Sequence, residues 1–163
     1  MKNFARMAAL AAAATIIATP AAAQVAPFNG PATGTVRITK PLTLESQDDL
    51  DFGSVIVWDN GTITIEQDGD ITCPATLVCD LVGTPARYTV RGTNNHTVQV
   101  NASSSTLSNG TDNLTFNPDA PATVPLSNSG QVGVDFYVGG NIAIPATASA
   151  GTYVGDLDVT VEY

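Results

Sequence analysis

Gly151-Thr-Tyr-Val-Gly-Asp-Leu-Asp-Val-Thr-Val-Glu-Tyr163 is the stretch that decides the fold class. Tyr153, Gly155, Leu157, Val159, Val161 and Tyr163 share one face, and Val154, Asp156, Asp158, Thr160 and Glu162 share the other. A period of two with one apolar side is the pattern of a half-buried strand. Similar short segments recur upstream: Leu42-Thr-Leu44, Leu50 to Trp58, Thr62-Ile-Thr-Ile-Glu66, Ala86 to Arg91, His96 to Asn101, Asn113 to Phe116, Gln131 to Val138 and Asn141 to Ile144. Turn chemistry separates them. Asp59-Asn-Gly61 predicts a hairpin into Thr62, Asp68-Gly-Asp70 predicts another turn, and Gly92-Thr-Asn-Asn95 a third. Beyond residue 23 no segment sustains a 3.6-residue period, and Thr, Val, Gly, Asn, Asp and Pro dominate over Lys, Glu and Leu. The expectation is an all-β, antiparallel sandwich or barrel.

Residues 1–23 read as a signal peptide instead. Lys2 and Arg6 give a positive start, Met7 to Ala18 an apolar run too short to span a bilayer, and Ala21-Ala-Ala23 the small residues before cleavage at Ala23–Gln24. The remaining 140 residues suit one domain. Without Lys2 and Arg6, four basic residues face fifteen acidic ones, a net charge of −11. Arg37, Lys40, Arg87 and Arg91 are too scattered to neutralise phosphates, which argues against nucleic acid and anionic membranes. No later stretch suits a transmembrane helix. The expected route is export through the inner membrane, passage through the periplasm, and a final place at the cell surface or outside.

Export changes how Cys73 and Cys79 read. An oxidising compartment lets the pair in Cys-Pro-Ala-Thr-Leu-Val-Cys close as a structural disulfide. Metal binding lacks partners, because His96 is the single histidine and no second cysteine pair exists. Five intervening residues do not match a Cys-x-x-Cys redox motif.

Residues 24–35 form an N-terminal extension ahead of a domain at 36–163. Its even positions, Ala26, Phe28, Gly30, Ala32, Gly34, Val36 and Ile38, are all small or apolar. Three readings suit such a segment: a fraying terminus, an ordinary first strand, or a strand donated to another molecule with Phe28, Val36 and Ile38 inserted. Burying each of those three contributes about 1.5–3 kcal/mol gross, opposed by the cost of ordering the segment.

Ile38-Thr-Lys-Pro-Leu-Thr-Leu, Asp49-Leu-Asp-Phe-Gly-Ser, Ala86-Arg-Tyr-Thr-Val-Arg-Gly and the closing Gly151–Tyr163 stretch, in that order, resemble the exported bacterial DUF4402 domain. That family is similar in turn to the spore coat protein U domain and to chaperone–usher pilins. The resemblance implies an immunoglobulin-like sandwich lacking its last strand, which a periplasmic chaperone and then the extension of a neighbouring subunit supply. It implies an outer-membrane usher as a further partner, and copies of this or related subunits as neighbours. Leu157, Val159, Val161 and Tyr163 are then the groove edge that the chaperone meets. The implied role is a structural subunit of a surface filament or coat, aiding adhesion.

No catalytic constellation or cofactor motif is legible, so no enzyme is expected. His96 reads as an exposed turn residue. Asp48, Asp49 and Asp51, and Asp68 with Asp70, lack the spacing of a calcium loop, though weak calcium binding stays open. Trp58 reads as core or edge packing, with a sugar platform as the alternative. Two rival functions remain: a stand-alone secreted binding module, and a small outer-membrane β-barrel read from the terminal Tyr163.

Overall fold

A computed structural model describes residues 34–128 and 132–163. The expected signal peptide, the expected cleavage site at Ala23–Gln24 and Phe28 lie outside the described residues. The described residues form β1 (Thr43–Asp48), β2 (Val55–Val57), β3 (Gly61–Ile65), β4 (Ile71–Thr72), β5 (Leu77–Cys79), β6 (Ala86–Arg91), β7 (His96–Ala102), β8 (Ser105–Ser108), β9 (Asn113–Asp119), β10 (Thr123–Leu126), β11 (Val134–Ile144) and β12 (Val159–Glu162). There is no helix among them, and every strand pairing is antiparallel. The all-β expectation stands.

The largest sheet has seven strands, with β1, β6, β11, β3 and β4 in order and β9 and β8 joined to it through β11. The second has the order β10, β7, β12, and a two-stranded ribbon pairs β2 with β5. Strand β11 spans the molecule. Val134 lies opposite Val90 on β6, and ten residues later Ile144 lies opposite Gly61 on β3. Two segments that read as separate strands are therefore one, running through Gly139-Gly140. A Cβ on Gly139 would lie 2.1 Å from the Ile65 carbonyl oxygen, so the double glycine lets β3 approach closely.

Period-two alternation turns the apolar side chains inward. Val90, Val98, Leu126 and Val138 are fully buried in one core cluster, and Ile63 with Phe116 in another. Leu50 and Leu157 are half-buried and pack against both clusters, so the two halves of the core meet between them. Phe52 meets Phe116 edge-on at 5.9 Å, and Tyr88 stacks on Phe136 at 5.7 Å. The outer faces carry polar groups: Asn117 bonds Asn141 and Ser104, Arg87 pairs with Asp48 and Asp135, and Arg91 pairs with Glu45.

Local expectations divide. Asp68-Gly69-Asp70 is the β3–β4 hairpin: Gly69 has φ +92°, its N–H donates to Glu66 O, and Asp68 caps the Asp70 N–H. Asp59-Asn60-Gly61 carries the same signal and makes no hairpin. β2 pairs with β5 while β3 pairs with β4 and β11, so this turn moves the chain between sheets. Trp58 is 77% exposed rather than packed in the core. Val55 and Val57 face inward, and the alternation turns Ile56 and Trp58 outward. His96 is not an exposed turn residue: it opens β7, half-buried, with its ring edge-on to Tyr163 at 5.5 Å.

The Cys73–Cys79 disulfide is present and closes the short loop that leads into β5. It ties the ribbon to the chain leaving β4. The Trp58 and Asp59 N–H groups both donate to Thr76 O within that loop, at 3.2 Å each.

Candidate functional site: an open groove between two unpaired walls

The C-terminal alternation predicts a strand over all of 151–163, yet only Val159–Glu162 completes one. The reason lies in the neighbours. Residues 151–158 bond on one side only, through reciprocal Ser108–Val154 backbone bonds and Ser103 N–H to Asp158 O. Facing them, residues 49–57 are likewise bonded on one side. Asp51 exchanges backbone bonds with Thr84, the Ser54 carbonyl accepts from Asp80 N–H, and β2 pairs with β5. Among the described residues no backbone hydrogen bond joins the two walls. Extended chain with inward apolar residues and an unsatisfied edge is what remains when a sheet lacks one member.

Between the walls lies a groove of about 1140 Å³. Leu50 and Leu157 line one end, Val57 and Ala148 the other, and Phe116 and Ile142 belong to its floor. The walls run antiparallel, 49 to 57 against 157 to 149, a length that suits one strand of eight or nine residues. The groove reaches the buried core, so an inserted side chain meets Leu114, Phe116 or Ile142 directly.

The Leu50–Leu157 end is acidic. Asp49, Asp51 and Asp156 line it, and Tyr88 lies at its base. Burial raises the Tyr88 phenol above its ordinary value, and the charges of Asp49 and Asp158 add to the effect. Asp80, below the 49–57 wall, is held below the ordinary carboxylate range chiefly by the backbone N–H of Ser54.

The sequence-predicted residues fall as follows. Leu157 lines the groove. Val159 and Val161 continue the same face, half-buried, and lie opposite Ala102 and Val100 of β7. Tyr163 lies just past β12, where its hydroxyl donates to Lys40 O and accepts from Thr93 N–H. Val36 and Ile38 are 81% and 84% exposed. Sequence reasoning missed Leu50, Phe52, Val55 and Val57 as the opposite wall. Their alternation was visible, but nothing local says that this edge lacks a partner. Among the described residues, no three His, Cys, Asp or Glu side chains gather as a metal site. Asp48 is engaged by Arg87, while Asp51 and Asp68 cap backbone N–H groups.

A family model described as a domain of unknown function, DUF4402, matches residues 42–163. The chain belongs to the DUF4402 family. The match covers both walls of the groove and every described strand. No curated protein and no solved structure matches the chain. Membership in DUF4402 thus identifies the domain, and the reading of its role rests on the groove.

Proposed function

We propose that this DUF4402 protein is an exported structural subunit of a pilus-like surface filament or coat, assembled by donor-strand complementation and aiding adhesion. The observation that carries the reading is the groove: two facing walls, each bonded on one side only, over an apolar floor. An extended segment placed there gains backbone bonds from the walls and apolar contacts from alternate side chains. The supply is the chain's own extension, with Phe28, Val36 and Ile38 on one parity and, at Val36 and Ile38, exposed side chains free to be buried elsewhere. A contact from one copy's extension to the next copy's groove is head-to-tail and propagates. A periplasmic chaperone fills the groove before assembly, and an outer-membrane usher exchanges it. The disulfide supports export, since such bonds persist in oxidising compartments. The role is structural rather than catalytic.

Inward apolar faces and polar outer faces argue against the outer-membrane barrel, whose outward face must be apolar. The test is deletion of residues 24–34. The truncated chain, supplied with a peptide of residues 24–40, is expected to fold as a monomer and form no polymer. Polymerisation equal to that of the chain starting at Gln24 overturns the reading. A stable monodisperse monomer of that longer chain favours the secreted binding module.

A further inference from the structure

The one tryptophan of the chain carries an exposed ring on a hydrogen-bonded stretch of backbone. Trp58 follows β2, with its N–H and that of Asp59 both donating to Thr76 O. Asp59 in turn accepts from Asn60 N–H at 2.7 Å, and Asn60 Oδ1 accepts from Ala146 N–H at 2.8 Å. The ring continues an apolar strip on the outer face of the ribbon, where Ile56 (61% exposed) lies opposite Val78 (51% exposed). Exposed tryptophan beside aliphatic side chains is the composition of an interface centre.

Its position suggests the occupant. Strand β11 measures the sandwich: Val134 is at the Val90 end and Ile144 at the Gly61 end, roughly 33 Å apart along the strand. Trp58, three residues before Gly61, is at the second end, where the groove closes with Val57 and Ala148. Lys40 is at the first end. Its N–H donates to Thr93 Oγ1 at 2.6 Å and its carbonyl accepts from the Tyr163 hydroxyl at 2.7 Å, which fixes the root of the extension there. If the donated strand of the function proposed above runs parallel to the 49–57 wall, its C-terminal root emerges at the acceptor's Val57 end and its Lys40 comes over Trp58.

Charge agrees. Of the other cations among the described residues, Arg87 and Arg91 are engaged by Asp48, Asp135 and Glu45, while Arg37, three residues before Lys40, has no ion pair. Among the described residues Lys40 has no ion-pair partner, and Asp59 next to Trp58 has none either. An ammonium over an indole face beside a carboxylate is doubly favoured.

We infer that Trp58 and Asp59 form a seat for the Lys40–Tyr163 end of a second copy, a body-to-body contact additional to the inserted strand. This rests on the strand-addition reading, and the experiment separates the two. The chain starting at Gln24 is assembled with a photo-crosslinking residue in place of Phe28, and Trp58 emission, the sole tryptophan signal, is followed alongside. The expected result is a Phe28-position crosslink to groove residues such as Phe116, together with a blue shift and several-fold weaker acrylamide quenching of Trp58. Trp58→Ala is expected to raise the critical assembly concentration at least tenfold. A labelled peptide of residues 24–38, which lacks Lys40 and brings no second body, should bind the Trp58→Ala chain within twofold of wild type. Lys40→Ala should mimic Trp58→Ala in assembly.

If the crosslink forms while Trp58 stays fully quenchable, the seat is wrong and strand addition stands. If no groove crosslink forms, the strand-addition reading itself fails. Protection of Trp58 by a neutral oligosaccharide, with no protection on assembly, makes the ring a sugar platform and overturns the seat.

Discussion

Tyr163 donates its hydroxyl to the carbonyl oxygen of Lys40 at 2.7 Å, across 123 positions of sequence. The phenolic oxygen in turn accepts from Thr93 N–H at 2.7 Å, and the ring lies edge-on to His96. One phenol thus ties the start of the sandwich, the β6–β7 turn and the residue after β12 into a single knot. Gly92 makes room for it, since a Cβ there would come within 2.7 Å of both Tyr163 Oη and Leu42 Cδ2.

Tyr163→Phe keeps the ring and removes the knot's hydrogen bonds. The expected loss is about 0.5–1.5 kcal/mol per net bond, read as a lower denaturant midpoint with an unchanged m-value. Amide exchange at Lys40 and Thr93 should accelerate more than at Val98. Equal protection at all three sites would show that the hydroxyl ties nothing.

Gly139→Ala should be among the most damaging small substitutions. The added methyl meets the Ile65 carbonyl at 2.1 Å and the Glu66 carbonyl carbon at 2.9 Å, and backbone cannot rotate away as a side chain does. Overpacking of this kind costs about 1–3 kcal/mol or more. Gly34→Ala, where nothing lies within 4 Å, is the control and should leave the melting temperature of the sandwich unchanged.

Reducing the Cys73–Cys79 bond, or replacing both residues by serine, should lower stability by about 2 kcal/mol on the loop-entropy model. The loss should concentrate in the β2–β5 ribbon and expose the Thr76 contacts to exchange. Thiols that alkylate in the exported protein without reductant would show that the bond does not form there.

Stability should be level near neutrality and fall on both sides. Hydrogen bonds from Ser149 hold Asp112 below its usual value of 3.8, and the Thr89 hydroxyl, helped by Arg87, does the same for Asp135. A carboxylate depressed in the folded state stabilises above the unfolded value, and that contribution is lost as pH falls through the folded one. The acid limb therefore begins below pH 3.8, and Asp135→Asn should flatten it. Tyr88 behaves oppositely: its raised folded value favours the neutral phenol, so its contribution is present below 10.0 and lost as pH climbs past it. Thermal midpoints measured from pH 2.5 to 11 check both limbs. An Asp135→Asn acid limb identical to wild type would contradict the assignment.

What the sequence alone determines here is whatever depends on near neighbours. The parity of Leu157, Val159 and Val161 sets which side of β12 turns inward, because side chains alternate along any extended chain. Asp68-Gly69-Asp70 makes its hairpin because β3 and β4 are adjacent in both sequence and space. Asp59-Asn60-Gly61 has the same chemistry and joins two different sheets, because the partners of β2 and β3 lie elsewhere in the chain. Trp58 faces outward for the same reason that Val57 faces inward, yet its exposure depends on nothing else covering the ribbon. The groove is the extreme case. Leu50 to Val57 and Gly151 to Leu157 each read as ordinary strand, and only their placement opposite one another, with no backbone bond between them, makes an opening. A strand's own residues specify its two faces, but whether its edge is paired is a property of the whole sheet.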